Sequence, residues 1–354
     1  MKTNVKSIAY YLTQFHQIPE NDEWWGKGFT EWTNVKKAKP LFQGHDQPKV
    51  PYKYYDLSNE QVMIEQIAMA KKYGLYGFCF YYYWFSEKRL LEKPLERLLV
   101  NKTKAADFPF MICWANENWT RRWDGKDKDV LIAQKHSNHD HQLVVKDMIR
   151  HFKDHRYIRD DGYPVVMIYR PEIINNFQFL IKTLRRETKQ NGFPGVKILA
   201  SEACNFKNNQ GFDIDGIVQF PPHFTFTGLS DPIEQSDWPR VGVRDYKHAV
   251  ELNVSFYETG KLDRDKIKTL YPCAFPAWDN TPRRPERGHV WHGHSVDLFN
   301  KWMHAAKKFS LKYNIDSEKY VFVNAWNEWA EGAYLEPDKT TGHSRLEVIK
   351  NLNT

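Results

Sequence analysis

Short apolar runs recur along the chain, separated by longer stretches in which apolar residues return every three or four positions. The runs fall at residues 7–12, 76–81, 110–114, 165–169, 196–201, 216–220, 271–275 and 320–325. Most are almost continuously apolar, which predicts strands covered on both faces. The stretches between them read as helices. Ser58-Asn-Glu-Gln61 has the form of a capping box, Met63, Ile67 and Ala70 follow at helical spacing, and Gly74 stops the run. Leu143, Val144, Ile149 and Phe152 mark a second apolar face, Phe177, Leu180, Ile181 and Leu184 a third. Leu298, Trp302, Ala305, Ala306 and Phe309 mark a fourth, ahead of the last strand. Strands alternating with helices predict parallel pairing through crossovers, and eight such units closing on themselves make an α/β fold of the (β/α)8 barrel type. There is no repeat, low-complexity tract or linker, so one barrel over residues 1–354 is the simplest organisation.

Polar and aromatic residues mass where such strands end. After the first strand come His16, then Trp24, Trp25 and Trp32, in a connection of roughly forty residues with no helix expected, far longer than an ordinary βα loop. Later strands end on Tyr81 and Trp84, on Trp114, Asn116, Glu117, Trp119, Arg121, Arg122 and Trp123, on Tyr169 and Arg170, on Glu202 and Asn205, and on Trp278. In a barrel these loops converge on the C-terminal face, where active sites are built. Indoles and phenols there suit the C–H faces of sugars; packing between long loops is the competing role for about half of them, since aromatics also dominate core energetics. Arg121 and Arg122 suit a charged sugar or phosphate, or an internal ion pair with Glu117 or Asp124. Glu117 and Glu202 are either sugar contacts or structural acids bonded to Arg121 or Arg170.

The last strand leads into V-F-V-N-A-W-N-E-W-A-E-G-A-Y-L-E-P-D at residues 321–338, with two acids, Glu328 and Glu331, set among Trp326, Asn327, Trp329 and Tyr334. Acids three apart on a helical turn have Cβ atoms about 5–6 Å apart. Glycoside cleavage needs one carboxyl protonated and one ionised at the same pH, and burial beside tryptophan separates two such groups. Glu328 and Glu331 are therefore the expected catalytic pair, with Glu117 and Glu331 as the alternative.

Composition narrows the function class. Aromatics make up 15% of the 354 residues, with 13 Trp, 19 Tyr and 22 Phe. The 51 Lys and Arg against 44 Asp and Glu leave +7, spread along the whole length, which suits solubility and gives no basic stripe for nucleic acid. The opening residues carry no apolar signal region, and no apolar run nears the ~18 residues of a membrane span. The four cysteines, Cys79, Cys113, Cys204 and Cys273, form no C-x-x-C pair and read as buried free thiols, so a cytoplasmic setting is expected. Oligomeric state is not written in the pattern. His289-Val-Trp-His292-Gly-His294 lacks the spacing of a helical metal pair and has no cysteine beside it, so no metal or other cofactor is expected.

Four segments carry a resemblance: Y-Y-L-T-Q-F-H at 10–16, D-E-W-W-G-K-G-F-T-E-W-T-N-V at 22–35, C-W-A-N-E-N-W-T-R-R-W-D-G at 113–125 and N-A-W-N-E-W-A-E-G at 324–332. In this order they resemble the WbsX-type proteins, the glycoside hydrolase family 99-like proteins of bacterial surface-polysaccharide genes. The resemblance implies a (β/α)8 barrel acting on an oligo- or polysaccharide. By way of the more distant endo-α-mannosidases, it implies cleavage of α-mannosidic bonds with retention, through a 1,2-anhydro sugar formed by the substrate's 2-hydroxyl. It further implies Glu328 as the base that deprotonates that hydroxyl, Glu331 as acid then base, and Tyr10 or Tyr11 as a substrate-contacting tyrosine. Relatives of this type are often labelled glycosyltransferases. That alternative needs a nucleotide-sugar site, and Asp213-Ile-Asp215 has the D-x-D form but precedes the sixth strand, opposite the expected cleft. A non-catalytic carbohydrate-binding barrel is the third reading; two clustered acids argue against it.

Overall fold

The computed structural model describes residues 4–121, 126–203, 206, 211–223, 242–260, 269–285, 287–314 and 316–353. Its frame is a parallel sheet of β1 (Lys6–Tyr11), β2 (Gly77–Phe85), β3 (Phe110–Trp114), β4 (Tyr163–Ile168), β5 (Lys197–Glu202), β6 (Gly216–Gln219), β7 (Leu270–Tyr271), β8 (Cys273–Ala274) and β9 (Tyr320–Val323). The spatial order is β7-β6-β5-β4-β3-β2-β1-β9-β8. β7 and β8 are two halves of one passage, broken at Pro272, which has no N–H for a ladder. β7 pairs with β6, β8 pairs with β9, and the Pro272 carbonyl accepts the Phe322 N–H at 2.9 Å. The ring of eight passages is thus closed, a (β/α)8 barrel as the alternation predicts.

Helices clothe the outside: α1 (Pro19–Trp25), α2 (Glu31–Lys37), α3 (Glu60–Lys72), α4 (Lys93–Val100), α5 (Asn138–Phe152), α6 (Phe177–Gln190), α7 (Tyr246–Thr259), α8 (Val296–Tyr313) and α9 (Ser344–Asn351). Their expected faces are buried, Ile67 and Ala70 on α3, Leu180 and Leu184 on α6, Trp302, Ala306 and Phe309 on α8. Three details differ from expectation. The cap of α3 is Asn59, whose side chain accepts the Gln61 N–H at 3.0 Å, one residue beyond the predicted Ser58. The long connection after β1 holds two short helices: Pro19 opens α1 with a preset φ, and Thr30 caps α2 by exchanging hydrogen bonds with Thr33. β2 runs four residues past its expected end, because its aromatics keep pairing as far as Phe85.

The barrel interior is packed. The Tyr10 hydroxyl donates to the Met167 sulfur at 3.1 Å, and Ser201 donates to the same atom at 3.2 Å. Cys79, Cys113 and Cys273 are buried free thiols; Cys204 lies outside the described residues. Arg156, beside the N-terminal end of β4, is buried and donates to Asp154 and to the carbonyls of Leu98, Asn101 and Ala106. Among the described residues no helix is long and apolar enough to cross a membrane.

Candidate active site

At the C-terminal ends of the strands lies a cavity of about 380 Å³. Its walls come from the loops after most of the strands: Gln14 after β1, Tyr81 and Tyr83 on the end of β2, Glu117 to Thr120 after β3, Tyr169 after β4, Phe220 and His223 after β6, Asn280, Arg283 and Arg284 after β8, Glu328 and Glu331 after β9. Asn21 and Trp25, from α1, complete the rim.

The acidic pair sits on a hairpin. β10 (Asn327–Glu328) pairs antiparallel with β11 (Ala333–Tyr334), and a 3₁₀ turn over Trp329–Glu331 joins them, so the helical turn expected for the two acids is not formed. Trp329 lies flat on Tyr334, ring centroids 3.7 Å apart, and its indole donates to Glu336 at 2.6 Å. The Asn327 side chain accepts the Leu12 N–H at 2.8 Å and donates to the Leu12 carbonyl at 2.9 Å, tying the hairpin to the exit of β1. Gly332 ends the turn with φ +66°, where a Cβ would meet the Asp279 nitrogen at 2.9 Å. Only glycine meets both demands at once.

That approach brings the hairpin against the turn holding Arg283. Asp279 accepts from the Thr281 N–H and hydroxyl on one oxygen, and from His45 and Gln47 at 2.8 and 2.6 Å on the other. The Asn280 carbonyl accepts the Arg283 N–H at 3.1 Å. So anchored, the Arg283 guanidinium donates to Glu331 at 2.6 Å, Glu328 at 2.9 Å and Glu31 at 3.2 Å. Burial raises the Glu328 carboxyl to about 8; Arg283 opposes the rise, and the charges of Glu331 and Glu31 add to it. Burial also raises Glu31, against the pull of Arg283, while its three carboxylates hold Arg283 firmly charged against the cost of burial. Burial therefore favours the protonated form of Glu328, and Glu331 faces the cavity beside it. Burial first, and the charge of Glu328 second, keep the Tyr81 and Tyr83 phenols protonated.

Of the residues marked from sequence, Trp25, Tyr81, Glu117, Trp119, Tyr169, Glu328 and Glu331 line the cavity. The others are placed elsewhere. Tyr10 fills the barrel interior one layer beneath Tyr81, ring centroids 5.7 Å apart, and the Tyr11 hydroxyl donates to Gln66 on α3. His16 is buried against the Thr13 carbonyl and burial lowers it to about 4, so it is neutral. The indole N–H of Trp32 is spent on the Tyr55 carbonyl, that of Trp84 on Asp140 and that of Trp114 on Gln134. Trp278 packs on Phe275, Trp291 and His223, and Trp326 is sealed against Phe78. Asn116 staples two loops by donating to the Arg170 carbonyl and accepting the Arg170 N–H, and Asn327 is spent on Leu12 as above. Glu202 is buried, does not line the cavity, and among the described residues has no hydrogen-bond partner for either carboxyl oxygen. The physical reason is common to most of these: large side chains at strand ends are stabilised most by complete burial with their polar atoms satisfied. Glu117 is bonded to Arg170 at 2.7 Å, while its carboxylate still reaches the cavity wall. Only the backbone of Arg121 is described, and Arg122, Trp123 and Asn205 lie outside the described residues.

Sequence reasoning missed Tyr83, Asn118, Asn280 and Arg283. Strand alternation was a usable signal for Tyr83, which shares a face with Tyr81, whereas Tyr82 and Trp84 point to Asp147 and Asp140 on α5. Arg283, with Arg284 and Arg287, reads from sequence either as an anion-binding rim or as a solvated basic loop; the three carboxylates that surround it are distant in sequence. Asp213 pairs with Arg185, and Asp215 accepts the Ile198 N–H at 2.9 Å, which accounts for the D-x-D as a strand start. Among the described residues no group of three or more His, Cys, Asp or Glu is placed to hold a metal ion.

Comparison with known proteins places the chain in a family. The family model described as Glycosyltransferase WbsX matches residues 7–349. An uncharacterized protein WxcX of Xanthomonas campestris pv. campestris is 37% identical over 355 residues, covering 98% of this chain and 49% of the relative. The chain thus spans about half the length of the curated relatives it matches. Among solved structures, a glycoside hydrolase-like protein superposes with TM-score 0.65 at 13% identity, covering 99% of this chain and 94% of the other. A glycoside hydrolase family 99 endo-α-mannosidase from Bacteroides thetaiotaomicron superposes with TM-score 0.59 at 13% identity, covering 99% and 97%. These likenesses concern the barrel, while the match along the sequence decides the family: the chain belongs to the WbsX glycosyltransferase family.

Proposed function

We propose that this chain is a carbohydrate-active enzyme that cleaves α-mannosidic or related bonds with retention, using Glu328 and Glu331. One observation carries the reading: two acids meet on one guanidinium in the wall of a cavity at the mouth of the barrel, faced by Tyr81, Tyr83, Trp119 and Tyr169. The aromatic rings supply flat apolar surfaces for a sugar, and the acids share a proton, as acid–base catalysis requires. The resemblance to the endo-α-mannosidases supports the 2-hydroxyl-assisted route. In it Glu328 takes the 2-hydroxyl proton while Glu331 protonates the departing glycosidic oxygen. Glu331 then removes a proton from the water that opens the anhydro ring, and Glu328 returns its proton to the released 2-oxygen. Because burial puts the resting proton on Glu328, productive binding selects the tautomer that carries it on Glu331; the total of one proton is unchanged.

The family's description favours a second reading, glycosyl transfer from an activated donor in surface-polysaccharide synthesis. The two separate on incubation with α-mannoside oligosaccharides. A hydrolase releases reducing sugar with no donor present, and Glu331→Gln lowers that release by at least about a hundredfold. Turnover only with a nucleotide- or lipid-linked donor overturns the hydrolytic reading in favour of the transferase. Retained sugar affinity with no turnover under either condition leaves a binding barrel.

A further inference from the structure

We propose that Arg283, backed by Glu31, is a positioning residue that fixes how many protons the Glu328/Glu331 pair carries. The proposal rests on the catalytic assignment above but is tested without it.

The geometry is that of a fork with three tines. Each of three guanidinium nitrogens takes a different carboxylate: Nη1 Glu331, Nη2 Glu328 and Nε Glu31. Arg283 is 12% exposed at its side chain, Glu328 6% and Glu31 0%, so little water screens the cluster. Among the described residues one guanidinium meets three carboxylates, which leaves a surplus of negative charge in a poorly solvated place, and proton uptake relieves it. Glu31 is the member without access to the cavity. It enters from α2, with its backbone N–H on the Gln14 carbonyl at 3.1 Å and its second carboxyl oxygen unbonded. It does not touch a bound sugar and needs no place in the chemistry. Its negative charge instead takes a share of the guanidinium and presses on its neighbours. Arg283 pulls the pair towards ionisation, and Glu31 weakens that pull. Among the described residues, the other groups facing the cluster are Tyr81 and Tyr83 from β2, Glu117 from the loop after β3, His223 from the loop after β6, and Arg284 from the turn of Arg283 itself.

The two residues should therefore push in opposite directions. Full-length protein labelled with ¹³C at the glutamate side-chain carboxyl is titrated by NMR, with the Glu328 signal assigned by its loss in Glu328→Gln. In the parent protein this carboxyl, raised by burial to about 8, is expected to titrate there. Glu31→Gln, which keeps size and shape, is expected to move the titration down by about one unit, and Arg283→Gln to move it up by about as much. Arg283→Lys keeps the charge without the fork and should fall between Arg283→Gln and the parent protein. If Arg283→Gln does not fold, Glu31→Gln and Arg283→Lys still decide. Shifts of the same sign in Glu31→Gln and either arginine variant, or no shift in Glu31→Gln, overturn the proposal. Should the titrations move as stated while no glycoside is cleaved, the clamp stands and the catalytic assignment falls. Should glycosides be cleaved while the titrations stay fixed, the reverse holds.

Discussion

Glu328 is raised by burial, and its proton is the one the pair can lose at the alkaline end. Below about 8 Glu328 holds a proton that it loses above, and with it goes the acid proton available to the leaving oxygen. The expected kcat/KM profile therefore has its alkaline limb near 8, and activity that keeps rising through pH 9 contradicts the shared-proton account. Glu202 is another raised carboxyl, with a different consequence. Its oxygens are buried and, among the described residues, unbonded, so the folded state prefers the neutral form. A carboxyl raised on folding costs nothing below its unfolded value and progressively more above it. Glu202→Gln should thus leave Tm unchanged near pH 4 and raise it at pH 8, each unit of upward shift being worth about 1.4 kcal/mol. A variant that lowers Tm equally at both pH values would mean that the carboxylate has a favourable partner.

At the scale of elements, the site depends on one close approach, between the β10–β11 hairpin and the turn that carries Arg283. Gly332 makes it possible. Gly332→Ala forces a left-handed backbone onto alanine, about 1–2 kcal/mol, and drives its Cβ against the Asp279 nitrogen. Thermal melting should register a loss of at least that size, with a larger fractional loss of turnover as Glu331 and Arg283 move apart. β2 shows how far an element was legible. Its aromatic run announced a strand, but turn-like residues arrive only at Ser86 and Glu87, both with positive φ. The strand therefore continues through Phe85, and parity assigns Tyr81 and Tyr83 to the cavity and Trp84 to α5. The expected stop at Tyr81 made every later aromatic look like a loop residue.

Across the whole molecule, the two ends of the barrel divide the work, as barrels of this kind do. Arg156 at the N-terminal face satisfies Asp154 and three carbonyls with no route to the cavity. Arg156→Met leaves the buried Asp154 with one cation fewer, and three carbonyls short of a donor. A loss of about 3–5 kcal/mol is expected by denaturant melts, with KM unchanged in whatever remains folded. A change in KM would mean that the two faces are coupled.

Period and alternation in the sequence were enough to determine the barrel, its eight passages to within a few residues, and the acids at the end of the last strand. Those features depend on neighbours within one turn or one strand, and local order is written locally. Which tryptophans face the cavity and which face protein was not readable, because an indole at a strand end has the same composition in either role. Whether its N–H meets a carbonyl such as that of Tyr55 is settled only by loops distant in sequence. Arg283 is the sharpest case. Its three carboxylates come from residues 31, 328 and 331, and only closure of the ring from β1 to β9 brings those segments to one guanidinium. The chain sequence thus determined which acids were available, and tertiary structure decided their charge, because charge depends on burial and on neighbours that the chain order does not reveal.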